Sequence, residues 1–313
     1  MGVKFIDMYD IFLLIAPFFC IILAGYVFTR LNIAKADWIS SLNHFVLKIG
    51  FPAIIFTSLA KAKIDFAEQS SLIIVNSAFI LFCFALAIIA TKVFKLNKTM
   101  ERTLFICLPF GNIAYLGLPV LLEVYGQGII TQGSIILSMY LIWIFTLGVY
   151  YLERSGKESV EPGKIFTNLL KNPLLLGVIL GLAASFIKIP VNSVFMKTFD
   201  MLARSATPVI LFSIGIFIAQ IRIGHWHDWI GVSFYTVVKL LVLPGALLLI
   251  FRLASLQSPG FTATIVEAAM PLALTPYALA QEYDMDREFI TKSIMLSTII
   301  SIISLSMWFV VLK

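Results

Sequence analysis

Apolar residues run through this chain in long blocks separated by short polar connections. At about 20 residues per bilayer crossing, the pattern predicts ten helical spans. The first five are Tyr9 to Thr29, Ser41 to Ala60, Ser70 to Phe94, Thr103 to Leu122 and Thr131 to Leu152. The second five are Asn172 to Ile187, Thr198 to Ala219, Trp229 to Phe251, Phe261 to Ala280 and Phe289 to Val311. A hydrophilic segment, ERSGKESVEPGK, divides the two sets. The division is residues 1–153, a linker 154–164, and residues 165–313.

Two of the ten blocks are poor continuous helices. The fourth contains LPFGNIAYLGLP, Leu108 to Pro119, and the ninth contains MPLALTP, Met270 to Pro276. Proline lacks the N–H that a helix interior needs and clashes with the preceding turn, while glycine leaves the backbone loose. Each span is therefore expected to break into two half-helices, the fourth near Gly111 and Asn112. Unpaired backbone groups in hydrocarbon cost several kcal/mol each, so a break survives only when packed in protein or lining a wet cavity. Pro109, Gly117, Pro119, Pro271 and Pro276 are read as the architecture of these breaks.

The halves also repeat. KIGFPAIIFTSLAKAKI from Lys48 aligns with RSATPVILFSIGIFIAQI from Arg204, and ITQGSIILS from Ile130 with ITKSIMLS from Ile290. An odd number of spans per copy inverts the second copy in the membrane, and paired broken spans in corresponding halves point to a transporter with a midplane site.

Composition agrees with the pattern: 60% of residues are hydrophobic and 13% charged, which excludes an ordinary soluble domain. The net charge of +6 is assigned to connections that set topology, with no nucleic-acid partner implied. Thirteen lysines and arginines fall in the odd-numbered connections and seven in the even-numbered ones with the termini. The positive-inside rule then puts both termini outside and the linker in the cytoplasm of a multi-pass plasma-membrane protein. Cys20, Cys83 and Cys107 lie in apolar spans without metal spacing and read as small core residues.

The segments FGNIAYLGLPVLLEVYG (Phe110 to Gly126) and EAAMPLALTPYALAQEY (Glu267 to Tyr283), followed by LSTIIS from Leu296, resemble the auxin efflux carrier family. Its bacterial members include malonate and malate carriers and its plant branch is the PIN proteins. The likeness spans the chain. It implies an all-α membrane fold of two inverted five-helix repeats, with a fixed scaffold and a mobile unit whose fourth and ninth helices cross at their breaks. It also implies that Asn112 meets the substrate.

The residues themselves suggest anion chemistry. Where a broken helix restarts, free N–H groups and the positive dipole end attract an anion without a charged side chain. Asn112 and Gly111 lie in that break, with Tyr115 and Thr275 as neighbouring candidates; an interhelical hydrogen bond or wall packing is the plainer role for each polar side chain. Lys48 and Arg204 match under the repeat and either line the two vestibules or snorkel, Asp200 standing one turn from Arg204 to pair with it. Lys239 and Glu267 either neutralise each other or serve coupling to a proton or sodium ion. The His225, Trp226, His227, Asp228 run reads as an interfacial anchor and not a metal site. No nucleotide-binding loop, catalytic motif or cofactor fingerprint appears.

The reading is a secondary transporter of small organic anions, carboxylates such as malonate or malate, working by alternating access. The alternatives are a carrier of an aromatic, auxin-like weak acid and, in another class, a receptor or channel. A homodimer is compatible with it.

Overall fold

The computed structural model describes residues 8–61, 66–155, 171–187, 192–221, 224–280 and 283–312. These residues form helices and no strand. Seven helices are long and apolar enough to cross a membrane, which makes the chain a multi-pass membrane protein. They are α1 (Met8–Arg30), α2 (Trp38–Ala60), α3 (Phe66–Val93), α6 (Ile130–Ser155), α8 (Ser193–Ala219), α9 (Asp228–Leu253) and α12 (Arg287–Val311). Shorter helices fill the gaps: α4 (Lys98–Cys107), α5 (Ile113–Tyr125), α7 (Pro173–Ile187), α10 (Pro259–Ala268) and α11 (Thr275–Leu279). Most of the expected linker, from residue 156, lies outside the described residues.

Helix starts follow local sequence. The carboxamide oxygens of Asn97 and Asn192 accept from the N–H groups of Met100 and Val194, each at 2.8 Å, and the Asp286 carboxylate accepts from Phe289 N–H at 2.9 Å. Such caps satisfy donors that the first turn leaves free.

Among the described residues, four helices contain a π turn, at Val46–Gly50, Ile113–Gly117, Ile144–Gly148 and Val238–Val242. Three of these stand two residues before a proline: Pro52, Pro119 and Pro244. A proline donates nothing to the carbonyl four residues back, and widening the turn relieves its clash. At Pro244 the orphaned carbonyl is Leu240 O, and the Trp308 indole of α12 donates to it at 2.7 Å.

Packing divides the helices into two groups. One group joins α1 to α8 and α2 to α7 by backbone approaches that admit no side chain. A Cβ on Gly215 would stand 2.0 Å from the Ile22 carbonyl oxygen, and one on Gly177 would stand 2.9 Å from the Pro52 carbonyl. Without a hydrophobic drive between helices in lipid, such small-residue seams let dispersion hold them together. The other group gathers α3 to α6 with α9 to α12. A hydrogen bond from Asn76 Nδ2 on α3 to Thr264 Oγ1 on α10, 2.9 Å long and buried, ties it across the molecule. Cys83 and Cys107 are buried as expected, but Cys20 faces outward on α1.

Candidate functional site

Helix α4 ends at Cys107 and α5 begins at Ile113, while α10 ends at Ala268 and α11 begins at Thr275. The chain is therefore interrupted in both places where proline and glycine demanded it. The two interruptions meet. Gly111 and Leu272 form an isolated antiparallel bridge, and the Asn112 N–H donates to the Pro271 carbonyl at 2.7 Å. A Cβ on Gly111 would sit 3.1 Å from the Glu267 carbonyl oxygen, so the close approach favours glycine. The Leu272 N–H donates to Ser297 Oγ of α12 at 3.1 Å.

The carbonyls released at the end of α4 are taken up by α9. Tyr235 donates its hydroxyl to Cys107 O at 2.7 Å, and the Lys239 ammonium, one turn on, donates to Leu108 O at 3.2 Å and Pro109 O at 3.4 Å. A cation at a helix C-terminus also opposes the negative end of the dipole. Lys239 thus caps a broken helix and does not pair with Glu267. The Glu267 carboxylate is fully buried and neither oxygen has a hydrogen-bond partner.

Beside the bridge lies a cavity of about 320 Å³. Gly111, Asn112 and the first turn of α5, including Tyr115, form one wall; Tyr140 of α6, Thr275 of α11 and Asn172 before α7 contribute to the others. Lys48 and His44 of α2, both exposed, also line it. The Asn112 Oδ1 and the Tyr140 hydroxyl are buried without a partner. The Tyr115 ring stacks on Phe51 at 5.0 Å and its hydroxyl bonds Thr275. The first three N–H groups of α5 have no intrahelical acceptor, so the cavity combines donors, an amide and a cation.

The structure thus brings Gly111, Asn112, Tyr115, Thr275 and Lys48 together. Arg204 stands exposed on α8 and is absent from the cavity lining. Asp200 pairs with Lys61 at the end of α2, 3.1 Å away, and not with Arg204. Of the architectural residues, Gly117 sits against Met270, a Cβ there reaching its Cγ at 3.3 Å. Pro119 follows the π turn of α5, Pro271 accepts in the bridge, and Pro276 lies in the first turn of α11. At the head of α9, Asp228 accepts from the His225 N–H at 3.0 Å and the Trp226 ring lies tilted against His227.

Sequence reasoning missed Tyr235, Ser297, Tyr140 and Asn172. Tyr235 had a readable signal, its spacing of four residues before Lys239; Tyr140 and Asn172 had none, since each reaches the cavity through helix packing. A larger groove of about 940 Å³ lies between α3, α4, α9 and α12, but it touches the first break only at Leu108 and includes none of Gly111, Asn112 or Thr275.

Residues 10–309 match the family described as membrane transport protein. The chain is 23% identical to a candidate malonate transporter of Rhizobium meliloti (strain 1021), over 92% of each protein. It is 23% identical to the uncharacterized transporter YfdV of Escherichia coli (strain K12), over 93% of this chain and 94% of that one. Auxin efflux carrier component 5 of Arabidopsis thaliana is 21% identical, over 95% of each.

Proposed function

Because the chain belongs to the auxin efflux carrier family of membrane transport proteins, we propose that it is a secondary transporter of small carboxylates whose site is the cavity at the paired breaks. The observation that carries this reading is Asn112, whose buried carboxamide oxygen has no partner, in the lining of a cavity that also holds the first turn of α5 and Lys48. Unsatisfied polar groups in a buried site are costly unless a ligand or water meets them. The helix dipole and the Lys48 ammonium favour an anion. At about 320 Å³ the cavity lies at the small end of the roughly 300–1,000 Å³ range of ligand sites, which suits a compact acid such as malonate or malate. The similarity to the candidate malonate transporter supports the same class.

The architecture we propose is ten spans in two inverted repeats, residues 1–153 and 165–313, with both termini outside the plasma membrane and the intervening linker cytoplasmic. Reciprocal pairing supports it: the first predicted span packs on the seventh and the second on the sixth, as a two-fold relation requires, and the fourth meets the ninth at their breaks. Alternating access then moves α3 to α6 and α9 to α12 against the glycine-seamed group. A second reading, an aromatic weak acid as substrate, is favoured by Phe110, Tyr115, Tyr140 and Phe145 in the cavity wall.

The test is counterflow of labelled malonate, malate and an aromatic acid in proteoliposomes, with Asn112→Ala and Lys48→Gln beside wild type. Saturable exchange of one acid, reduced at least tenfold by Asn112→Ala in folded protein, is expected. Binding without flux indicates a receptor, and unsaturable ion current a channel.

A further inference from the structure

We infer that Glu267 is the proton-carrying group of the transport cycle, taking up one proton from one side of the membrane and releasing it to the other as the substrate crosses. The role presupposes the carrier reading above and deepens it. Glu267 lies on the last turn of α10, immediately before the break that bridges to Gly111. Its side chain occupies a slot made by two glycines: a Cβ on Gly133 of α6 would lie 3.0 Å from its Oε1, and one on Gly117 of α5 would lie 3.7 Å from its Cγ. The same Gly133 position is 2.7 Å from Leu118 Cδ2 and 3.1 Å from Leu121 Cδ1, so the carboxyl oxygen shares the space beside Gly133 with two leucine methyl groups. It is 0% exposed and both oxygens lack a partner.

Among the described residues, the buried lysines and tyrosines on the helices that pack on α10 are committed elsewhere or neutral. Lys239 of α9 serves the α4 carbonyls, Lys292 of α12 pairs with Asp228 and Glu288, and Tyr115 of α5 bonds Thr275. On α3, Asn76, which does not titrate, donates its Nδ2 to Thr264 Oγ1. Tyr140 of α6 lies within electrostatic reach of Glu267, and it also lines the cavity. An enclosure without counter-ion or donor accepts the neutral acid and rejects the carboxylate. A metal cation needs several oxygen ligands, whereas a proton needs none beyond the carboxyl itself, and leucine methyls flank this one. The step balances simply: carboxylate plus proton gives carboxylic acid on loading, and the reverse on release when Tyr140 and the cavity admit water. The break beside Glu267 is where such exposure begins, because α10 has no further turn to hold it.

The experiment uses purified full-length protein. Infrared difference spectra across a pH titration, without substrate, look for the carbonyl band of a protonated carboxyl; the band is expected in wild type and absent in Glu267→Gln. In proteoliposomes loaded with malonate or malate, Glu267→Gln is expected to keep counterflow within about threefold while losing accumulation driven by an imposed proton gradient and losing substrate-coupled pH change of the lumen. Absence of the band in wild type overturns the inference. So does wild-type counterflow accompanied by undiminished gradient-driven accumulation in Glu267→Gln, or by accumulation that follows a sodium gradient alone; the carrier reading then stands. Should wild type exchange no acid at all, the carrier reading falls and the coupling role falls with it, even where the band is seen.

Discussion

Tyr235 and Lys239, one helical turn apart on α9, close consecutive carbonyls at the broken end of α4, Cys107 O at 2.7 Å and Leu108 O at 3.2 Å. A fully buried lysine is thereby explained by backbone that a proline-interrupted helix leaves bare. Replacing it with methionine keeps the bulk and orphans two carbonyls, each worth about 1–3 kcal/mol when stranded. Lys239→Met is expected to lower the thermal unfolding midpoint in detergent by several degrees, with Lys239→Arg losing less. An unchanged midpoint in Lys239→Met would show that water or neighbouring groups cap these carbonyls equally well.

The seam between α1 and α8 makes a sharper demand on volume. A Cβ on Gly215 would lie 2.0 Å from Ile22 O and 2.8 Å from Tyr26 N, both rigid backbone atoms. Gly215→Ala must therefore push the helices apart, at a cost of about 1–3 kcal/mol for overpacking. By contrast Gly128→Ala has open space around it and serves as the control. Comparison of the two midpoints checks this: equal values would mean that the seam is looser than its geometry.

Outside the spans, Glu101 offers a pH test. Its partial burial works to raise its affinity for protons, but the Lys98 ammonium at 2.8 Å and the Tyr151 hydroxyl prevail, holding the carboxyl below its ordinary value of 4.5. A depressed carboxylate contributes stability above its unfolded value and loses it as pH falls through the folded one. The difference in unfolding midpoint between wild type and Glu101→Gln should accordingly be present at neutral pH and shrink below about pH 4.5. A difference constant down to pH 3 or below would assign it to packing and not to charge.

The places where the chain breaks were legible because proline and glycine act locally: Pro109, Gly111, Pro271 and Pro276 announce an interruption wherever they stand in an apolar run. Their meeting was legible only through the resemblance and the repeat, since no local rule says that Gly111 finds Leu272. Side-chain pairings were less accessible. Spacing suggested Asp200 with Arg204, and two opposite charges placed within spans suggested Lys239 with Glu267, yet Lys61 and the α4 carbonyls won, because both choices depend on which helices become neighbours. The three prolines that follow π turns carried a signal in hindsight, the freed carbonyl four residues back. Nothing in the sequence distinguished the turn at Ile144–Gly148.

The bridge between Gly111 and Leu272 has a mechanical meaning. Two interrupted spans, left separate, would hinge independently and present a substrate with walls that drift apart. Stitched through Asn112 N–H and the Pro271 carbonyl, they cannot part without breaking a backbone hydrogen bond. A bound acid would then keep one wall, the joined breaks, throughout its passage, and exchange only the contacts that α2 and the start of α7 supply.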